Sequence, residues 1–512
     1  MTAYQNQAIP AVQCYTANAG VYSLLPQSKI VYAGQCTPAM DCVLRFMGNL
    51  FAAKGWGSLP VCTGQESQPG DIIIRQSASA QAGADKDQAY EIDISDRVQI
   101  TAQAAPGVQY ALTTVLQLLI AGNGALQQGK IVDFPDVRYR IVHLDNGRKY
   151  FGVGWIEALL REMSMLKYNQ LELDLTNDEG FRFRLDDMTV DGVDYGFLIG
   201  GNEKLEGYEN DDFLTQSDMD KIFETANACG VEIVPGMNTP GHMRQILERM
   251  RVNTGKDYRW KDPEGVSETA LAFADEAAVS FIHGLLAKYA AYFAGKGCRF
   301  FDIGADEVAN ELHKSEGIGY LYHNGFYGTL IAYMNQTAAL VKRYGMSPRM
   351  WNDGCYYEND VDTEAYQLDE DIACQYWSGG WEGYVTADPS TLANKGMKLV
   401  NVYRDCYYIV GKNESTTVEK CLRFSNNVFH KLTNGETETV PNDYGSCFAI
   451  WCDQPNFEDA KTIAAGIYLC MRAMGSKMWN GGDTRSLEAF TADVERLGLV
   501  PGGFTPEGEL AE

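Results

Sequence analysis

Residues 301–307, Phe-Asp-Ile-Gly-Ala-Asp-Glu, carry an apolar strand pattern into a small-residue turn and end on two adjacent carboxylates, Asp306 and Glu307. Ionised side chains are seldom fully buried, so acids at the end of a core strand mark a place where a substrate is met and where pKa values shift. The bland alternative is a solvated loop or a helix N-cap. Position at a strand end favours chemistry.

Other strand-like segments end in the same way, on Asp145 and Arg148, Asp174 and Asp178, Asn238 and His242, Trp351 and Asp353, Trp377, Asp405 and Tyr408, and Trp451 and Asp453. Polar loops would account for the acids but not for Trp351, Trp377 and Trp451. Aromatic walls around clustered carboxylates suit a carbohydrate ring, whose C–H faces stack on indoles while its hydroxyls bond to charged acceptors. Glycoside cleavage needs an acid for the departing oxygen, and Glu307 is the candidate. Ordinary retaining enzymes place a second carboxylate about 5 Å away. Neighbouring side chains on a strand point to opposite faces, so Asp306 is not expected to face Glu307. The partner is then Asp178, or a nucleophile carried by the substrate itself as a 2-acetamido group.

Strands near 137–144, 170–176, 231–236, 298–304, 347–352, 371–377, 398–404 and 446–452 must position these residues. Helical patterns lie between most of them, for example Trp155 to Lys167, Met219 to Ala228 and Ala270 to Phe293. Such alternation predicts an α/β fold, a (β/α)8 TIM-type barrel. Ahead of it, strand-like runs at 29–32, 71–74, 89–94 and 98–101 and a helix over 107–119 predict a small α+β domain. The domain expectation is 1–134 for a non-catalytic N-terminal α+β domain, 135–480 for the catalytic barrel and 481–512 for a tail packed on the barrel.

Of 512 residues, 68 are acidic and 42 basic, a formal net charge of −26. Nucleic acid and anionic membrane are poor partners for such a surface. The N-terminal residues lack a basic segment followed by an apolar run, and no segment reads as long and apolar enough to span a bilayer. The chain as it stands is expected to be cytoplasmic, a secreted protein trimmed of its leader being the other option. Thirteen scattered cysteines without a Cys-x-x-Cys spacing predict reduced thiols, and six histidines without His-x-His or His-x-x-x-His give no metal site. No cofactor is expected. A homodimer is compatible with the sequence.

Arg140-Ile-Val-His-Leu-Asp-Asn-Gly-Arg-Lys-Tyr-Phe151, Asp178-Glu-Gly-Phe-Arg182, Thr239-Pro-Gly-His242 and Ile303-Gly-Ala-Asp-Glu307, in this order, resemble the motifs of glycoside hydrolase family 20, the β-N-acetylhexosaminidases. The resemblance covers about 85 to 470 and implies retaining, substrate-assisted hydrolysis of terminal β-linked GlcNAc or GalNAc from an oligosaccharide or glycoconjugate, through an oxazolinium intermediate. It implies Glu307 as acid/base and Asp306 as the group that orients the acetamido. By the same resemblance Tyr408 bonds the acetamido oxygen, Arg140 grips O3 and O4, and Trp351, Trp377 and Trp451 are pocket walls. His242 and Asp178 resemble a pair that tunes the acid.

Four features depart from the family pattern. Glu172-Leu173-Asp174 stands where His-x-His is common, Pro235-Gly236-Met237-Asn238 where Pro-Glu-x-Asp is usual, the acid that commonly reads O4 and O6 is missing after Tyr408, and a tryptophan-linked Glu is shortened to Asp453. These departures admit two alternatives, a lacto-N-biosidase-like release of a disaccharide and a sugar-binding barrel without turnover.

Overall fold

The computed structural model describes residues 7–511 apart from 35, 58, 64–65, 78–82, 202–211, 264, 309–317, 358, 360–365, 382–383, 412–415 and 432–435. Its centre is a closed barrel of parallel strands, Tyr139–Asp145, Gln170–Asp174, Glu232–Thr239, Phe300–Gly304, Ser347–Trp351, Ala373–Tyr376, Leu399–Asn401 and Gly445–Trp451. The eighth strand pairs with both the first and the seventh, which closes the ring. Strands covered on both faces read as continuous apolar runs, and every residue of Tyr139–Asp145 is buried. Each of the eight expected strands is present.

Alternation along the first strand decides what lies inside. Tyr139 and Ile141 join Val234, Trp351, Val400, Tyr407, Cys447 and Ala449 in one interior cluster, whereas Val142 and Leu144 face the surrounding helices. Helices Val153–Met165, Gln216–Cys229, Glu276–Gly295, Tyr327–Arg343 and Ala460–Trp479 form the outer layer.

The expected helix over 270–293 begins instead at Glu276, where Asp275 caps it by accepting the Ala277 N–H, and Ala270 and Leu271 end a strand, Gly265–Leu271. This helix also corrects the membrane expectation, because Glu276–Gly295 is long and apolar enough to cross a bilayer. Its apolar residues Phe281, Ile282, Leu285, Leu286, Tyr289 and Phe293 are instead buried in the barrel's outer core.

Before the barrel lies a seven-stranded mixed sheet, with Cys14–Ser23 at one edge and Val61–Thr63 at the other. Its helix Ala105–Ala121 is buried along nearly its whole length because the sheet covers one side and the barrel the other. Gln109 Nε2 donates to Ser164 and to the Cys229 carbonyl, and Gln117 Nε2 to the Met165 carbonyl. Lys167 Nζ pairs with Asp133 at 2.9 Å, both fully buried, beneath the Trp479 ring. The C-terminal segment adds helix Leu487–Leu497 and returns to the barrel, where Phe504 packs on Trp155.

Candidate active site

The fourth barrel strand ends at Gly304, and the chain then turns through left-handed backbone at Gly304 (φ 73°), Ala305 (φ 67°) and Glu307 (φ 50°). A side chain at 304 would collide with Asn238, since a Cβ there would lie 2.4 Å from its Oδ1. Non-glycine residues in this region are strained, and such strain persists where surrounding structure enforces it, often at functional sites. The turn abolishes strand alternation, so Asp306 and Glu307 reach the same imidazole, His242 Nε2 lying 3.4 Å from each carboxylate. The expectation that neighbouring side chains here diverge is therefore corrected.

His242 follows the third strand, itself at φ 53°, and its Nδ1 meets Asp178 Oδ2 at 3.2 Å. Asp178 Oδ1 accepts the Arg244 N–H at 3.0 Å, so Asp178, not His242, satisfies the start of helix Arg244–Thr254. An imidazole whose Nδ1–H is held by a carboxylate presents Nε2 as an acceptor, or as a second donor when protonated. Burial raises the Asp306 pKa, but the His242 charge and hydrogen bond and then Arg148 outweigh it and hold Asp306 below the ordinary value. Asp178 is held down in the same way, burial being overcome by His242 and the Arg244 N–H.

Asp353, at the end of the fifth strand, accepts the Glu307 N–H at 2.6 Å and the Trp377 indole N–H at 2.8 Å. Burial first, and then Asp306, push its carboxyl up to about 7. Trp451 lies 5.0 Å from Trp351 and 4.4 Å from the His143 ring, centroid to centroid. Trp377 and Trp451 keep exposed surface, whereas Trp351 is 1% exposed and lies against Trp451 and His143. Beneath them His143 meets Glu172 at 3.1 Å, and Glu172 meets Arg349 at 3.3 Å.

Two expected site residues lie elsewhere. Arg140 shares the outward face of the first strand with Val142 and Leu144, and its guanidinium donates to the Val137 and Lys167 carbonyls under Trp479. It joins the barrel to the N-terminal domain and does not line the pocket. The arginine at the pocket is Arg148, which donates to Asp145 at 3.0 Å, lies 3.6 Å from Asp453 and 3.7 Å from Glu179, and sits over the Trp451 ring. Asp145 also accepts the Arg148 and Cys452 N–H groups, tying the first strand end to the eighth.

Tyr408 packs outside the barrel with its hydroxyl on Glu458 at 2.6 Å, against helix Ala460–Trp479. Tyr407 points inward among Trp351, Trp377 and Trp451, its hydroxyl donating to the Trp377 carbonyl at 2.6 Å. With Tyr407 inward, Ile409 is the next inward residue and packs in that cluster, while Val410 is fully buried in the outer core.

The sequence signature of the glycosyl hydrolase family 20 catalytic domain matches residues 137–480, and that of the family's domain 2 matches residues 5–134. The chain belongs to glycosyl hydrolase family 20. It is 24% identical over 453 residues to a lacto-N-biosidase of Bifidobacterium bifidum, covering 84% of this chain and 36% of that protein. A β-hexosaminidase of Vibrio furnissii is 25% identical over 250 residues, 46% of this chain and 39% of that protein. The chain thus spans well under half the length of either relative. Among solved structures, a catalytic module of the pneumococcal exo-β-D-N-acetylglucosaminidase StrH is 33% identical, with a TM-score of 0.58 over 66% of this chain and 82% of that one. The β-N-acetylhexosaminidase of Streptomyces coelicolor shares the fold at 18% identity, with a TM-score of 0.70 over 96% of this chain and 94% of that one.

Proposed function

We propose that this family 20 chain is an exo-acting β-N-acetylhexosaminidase that cleaves terminal β-linked GlcNAc or GalNAc with retention, the substrate's acetamido group serving as nucleophile. The observation that carries the reading is Asp306 beside Glu307: His242 holds it ionised, and its Oδ1 is buried with no hydrogen-bond partner among the described residues, free to accept an acetamido N–H. Asp178 has both oxygens engaged by His242 and the Arg244 N–H, which sets it to hold His242.

Glu307 then gives its proton to the departing oxygen while the acetamido oxygen closes onto the anomeric carbon. Asp306, held ionised beside His242, accepts the acetamido N–H and balances the positive charge of the oxazolinium. Water, deprotonated by Glu307, opens that ring from the face the leaving group vacated. Two inversions give retention.

Disaccharide release is the second reading, favoured by the likeness to the lacto-N-biosidase along 84% of the chain and by the apolar Ile409-Val410 after the tyrosine pair, where the resemblance leads one to expect an acid. The experiment compares aryl N-acetylglucosaminide, aryl glucoside and aryl lacto-N-bioside. Turnover of the first far above the second is expected, and equal rates on those two would overturn acetamido participation. Preferential turnover of the third would establish the second reading. Glu307→Gln should lower kcat by roughly 10²- to 10⁴-fold; unchanged turnover would show that Glu307 is not the acid, and a wild-type chain that binds the sugar without hydrolysing any of the three would leave only a binding barrel.

A further inference from the structure

We propose that Glu179, beside the pocket arginine Arg148, reads a ring hydroxyl of the terminal sugar and so helps decide which sugar the pocket accepts. The proposal rests on the hexosaminidase reading above. Glu179 follows Asp178 on the loop after the second barrel strand, and its neighbour Gly180 is packed against the loop after the first. A Cβ at 180 would lie 2.8 Å from the Gly147 carbonyl oxygen, and this close approach sets Glu179 beside Arg148.

Charge around Arg148 is unbalanced. One guanidinium meets three carboxylates from three strand ends, Asp145 at 3.0 Å, Asp453 at 3.6 Å and Glu179 at 3.7 Å. Only the first distance is that of a hydrogen bond. Among the described residues Glu179 Oε2 is buried with no hydrogen-bond partner, although the side chain keeps 17% of its surface exposed. Leaving a buried carboxylate oxygen unbonded is costly, and such groups recur where a ligand completes the set.

A sugar hydroxyl fits the gap, because it can donate to the Glu179 carboxylate and accept from the Arg148 guanidinium at once. Ile409, beside Trp451, contributes no polar atom, so hydroxyl recognition concentrates on the Arg148 side. Burial chiefly, with Asp178 and Asp145 opposing Arg148 and His242, pushes Glu179 up to about 7, so both of its protonation states are accessible near neutrality.

The test uses nitrophenyl β-N-acetylglucosaminide and its monodeoxy analogues lacking O3, O4 or O6, with the wild-type chain, Glu179→Leu and Glu179→Gln. Glu179→Leu should raise KM about tenfold and leave kcat within about twofold, with Glu179→Gln intermediate. One monodeoxy analogue should lose about tenfold in kcat/KM with the wild type and under about twofold with Glu179→Leu. Should the leucine variant not fold, Glu179→Gln still carries the comparison of analogues.

Equal penalties in wild type and variant for every analogue would overturn the proposal. So would a fall in kcat at constant KM, the mark of a residue acting only through Asp178 and His242. A wild-type chain that neither hydrolyses the parent glycoside nor binds N-acetylglucosamine thiazoline overturns the hexosaminidase reading itself, and this proposal with it.

Discussion

Asp353 holds the backbone N–H of Glu307 on one carboxylate oxygen and the indole N–H of Trp377 on the other. Glu307, the proposed acid, and the Trp377 ring are therefore located by a single side chain at the end of the fifth strand. Asparagine at 353 would accept one of these donors and turn an amide N–H toward the other. Asp353→Asn should lower kcat by about 10- to 100-fold, the scale of a misplacement near 1 Å, and cost about 1–3 kcal/mol of stability. Turnover and thermal melts measure both, and a variant with unchanged kcat would show that Glu307 is positioned by other means.

The two adjacent tyrosines separate by position. Tyr407 sits with the pocket tryptophans and Tyr408 on Glu458 outside the barrel. The proposed mechanism needs the Tyr407 hydroxyl, which donates to the Trp377 carbonyl here, to turn to the acetamido oxygen when substrate binds, so Tyr407→Phe should reduce kcat by about 10²-fold. Tyr408→Phe should cost about 1 kcal/mol of stability and leave kcat within about twofold. The reverse pattern in steady-state kinetics would return the catalytic part to Tyr408.

The arginines divide in the same way. Arg148→Lys keeps the charge but loses the planar fork, and KM should rise about tenfold while the thermal midpoint barely moves. Arg140→Met strips a fully buried guanidinium from the carbonyls of Val137 and Lys167, and a loss of about 3–5 kcal/mol is expected, with normal kcat where the chain remains folded. A KM effect from Arg140→Met without destabilisation would contradict its placement at the domain junction.

What was legible in the sequence follows from the range of the forces involved. Barrel strands announce themselves because burial on both faces leaves apolar runs such as Ile141-Val142-His143-Leu144. The edge strand Cys14–Ser23 does not, since most of its side chains are exposed and small residues, Ala17, Ala19 and Gly20, interrupt its pattern. Arg140 opens the first strand and Arg148 lies in the turn beyond its end, and it is the parity shared with Val142 and Leu144 that turns Arg140 outward. Tyr407 and Tyr408 cannot be ordered locally. Packing settles them, because Tyr408 fits against Gly466 of a helix far along the chain. The convergence of Asp306 and Glu307 was equally hidden, for it depends on left-handed backbone at Ala305 and Glu307, where no glycine marks it.

Asp302 and Asp174 face each other across Gly236, which is in register with both, and a Cβ at 236 would lie 3.6 Å from a carboxylate oxygen of each. Burial above all, and then the charges of Glu172 and Asp174, raise the Asp302 pKa well above its ordinary value. Below about pH 4 both the folded and the unfolded chain hold this proton, and nothing is lost. As pH rises past that value the unfolded chain ionises at 302 while the folded one does not, so folding is progressively disfavoured until the folded pKa is reached. Asp302→Asn removes that penalty and keeps an oxygen for the Gly304 N–H, which Asp302 accepts at 3.1 Å. Thermal melts across pH should show the variant more stable than the wild type at pH 7. The two curves should merge below about pH 4. A variant less stable at pH 7 would mean that Asp302 is ionised in the folded barrel and that its charge is used there.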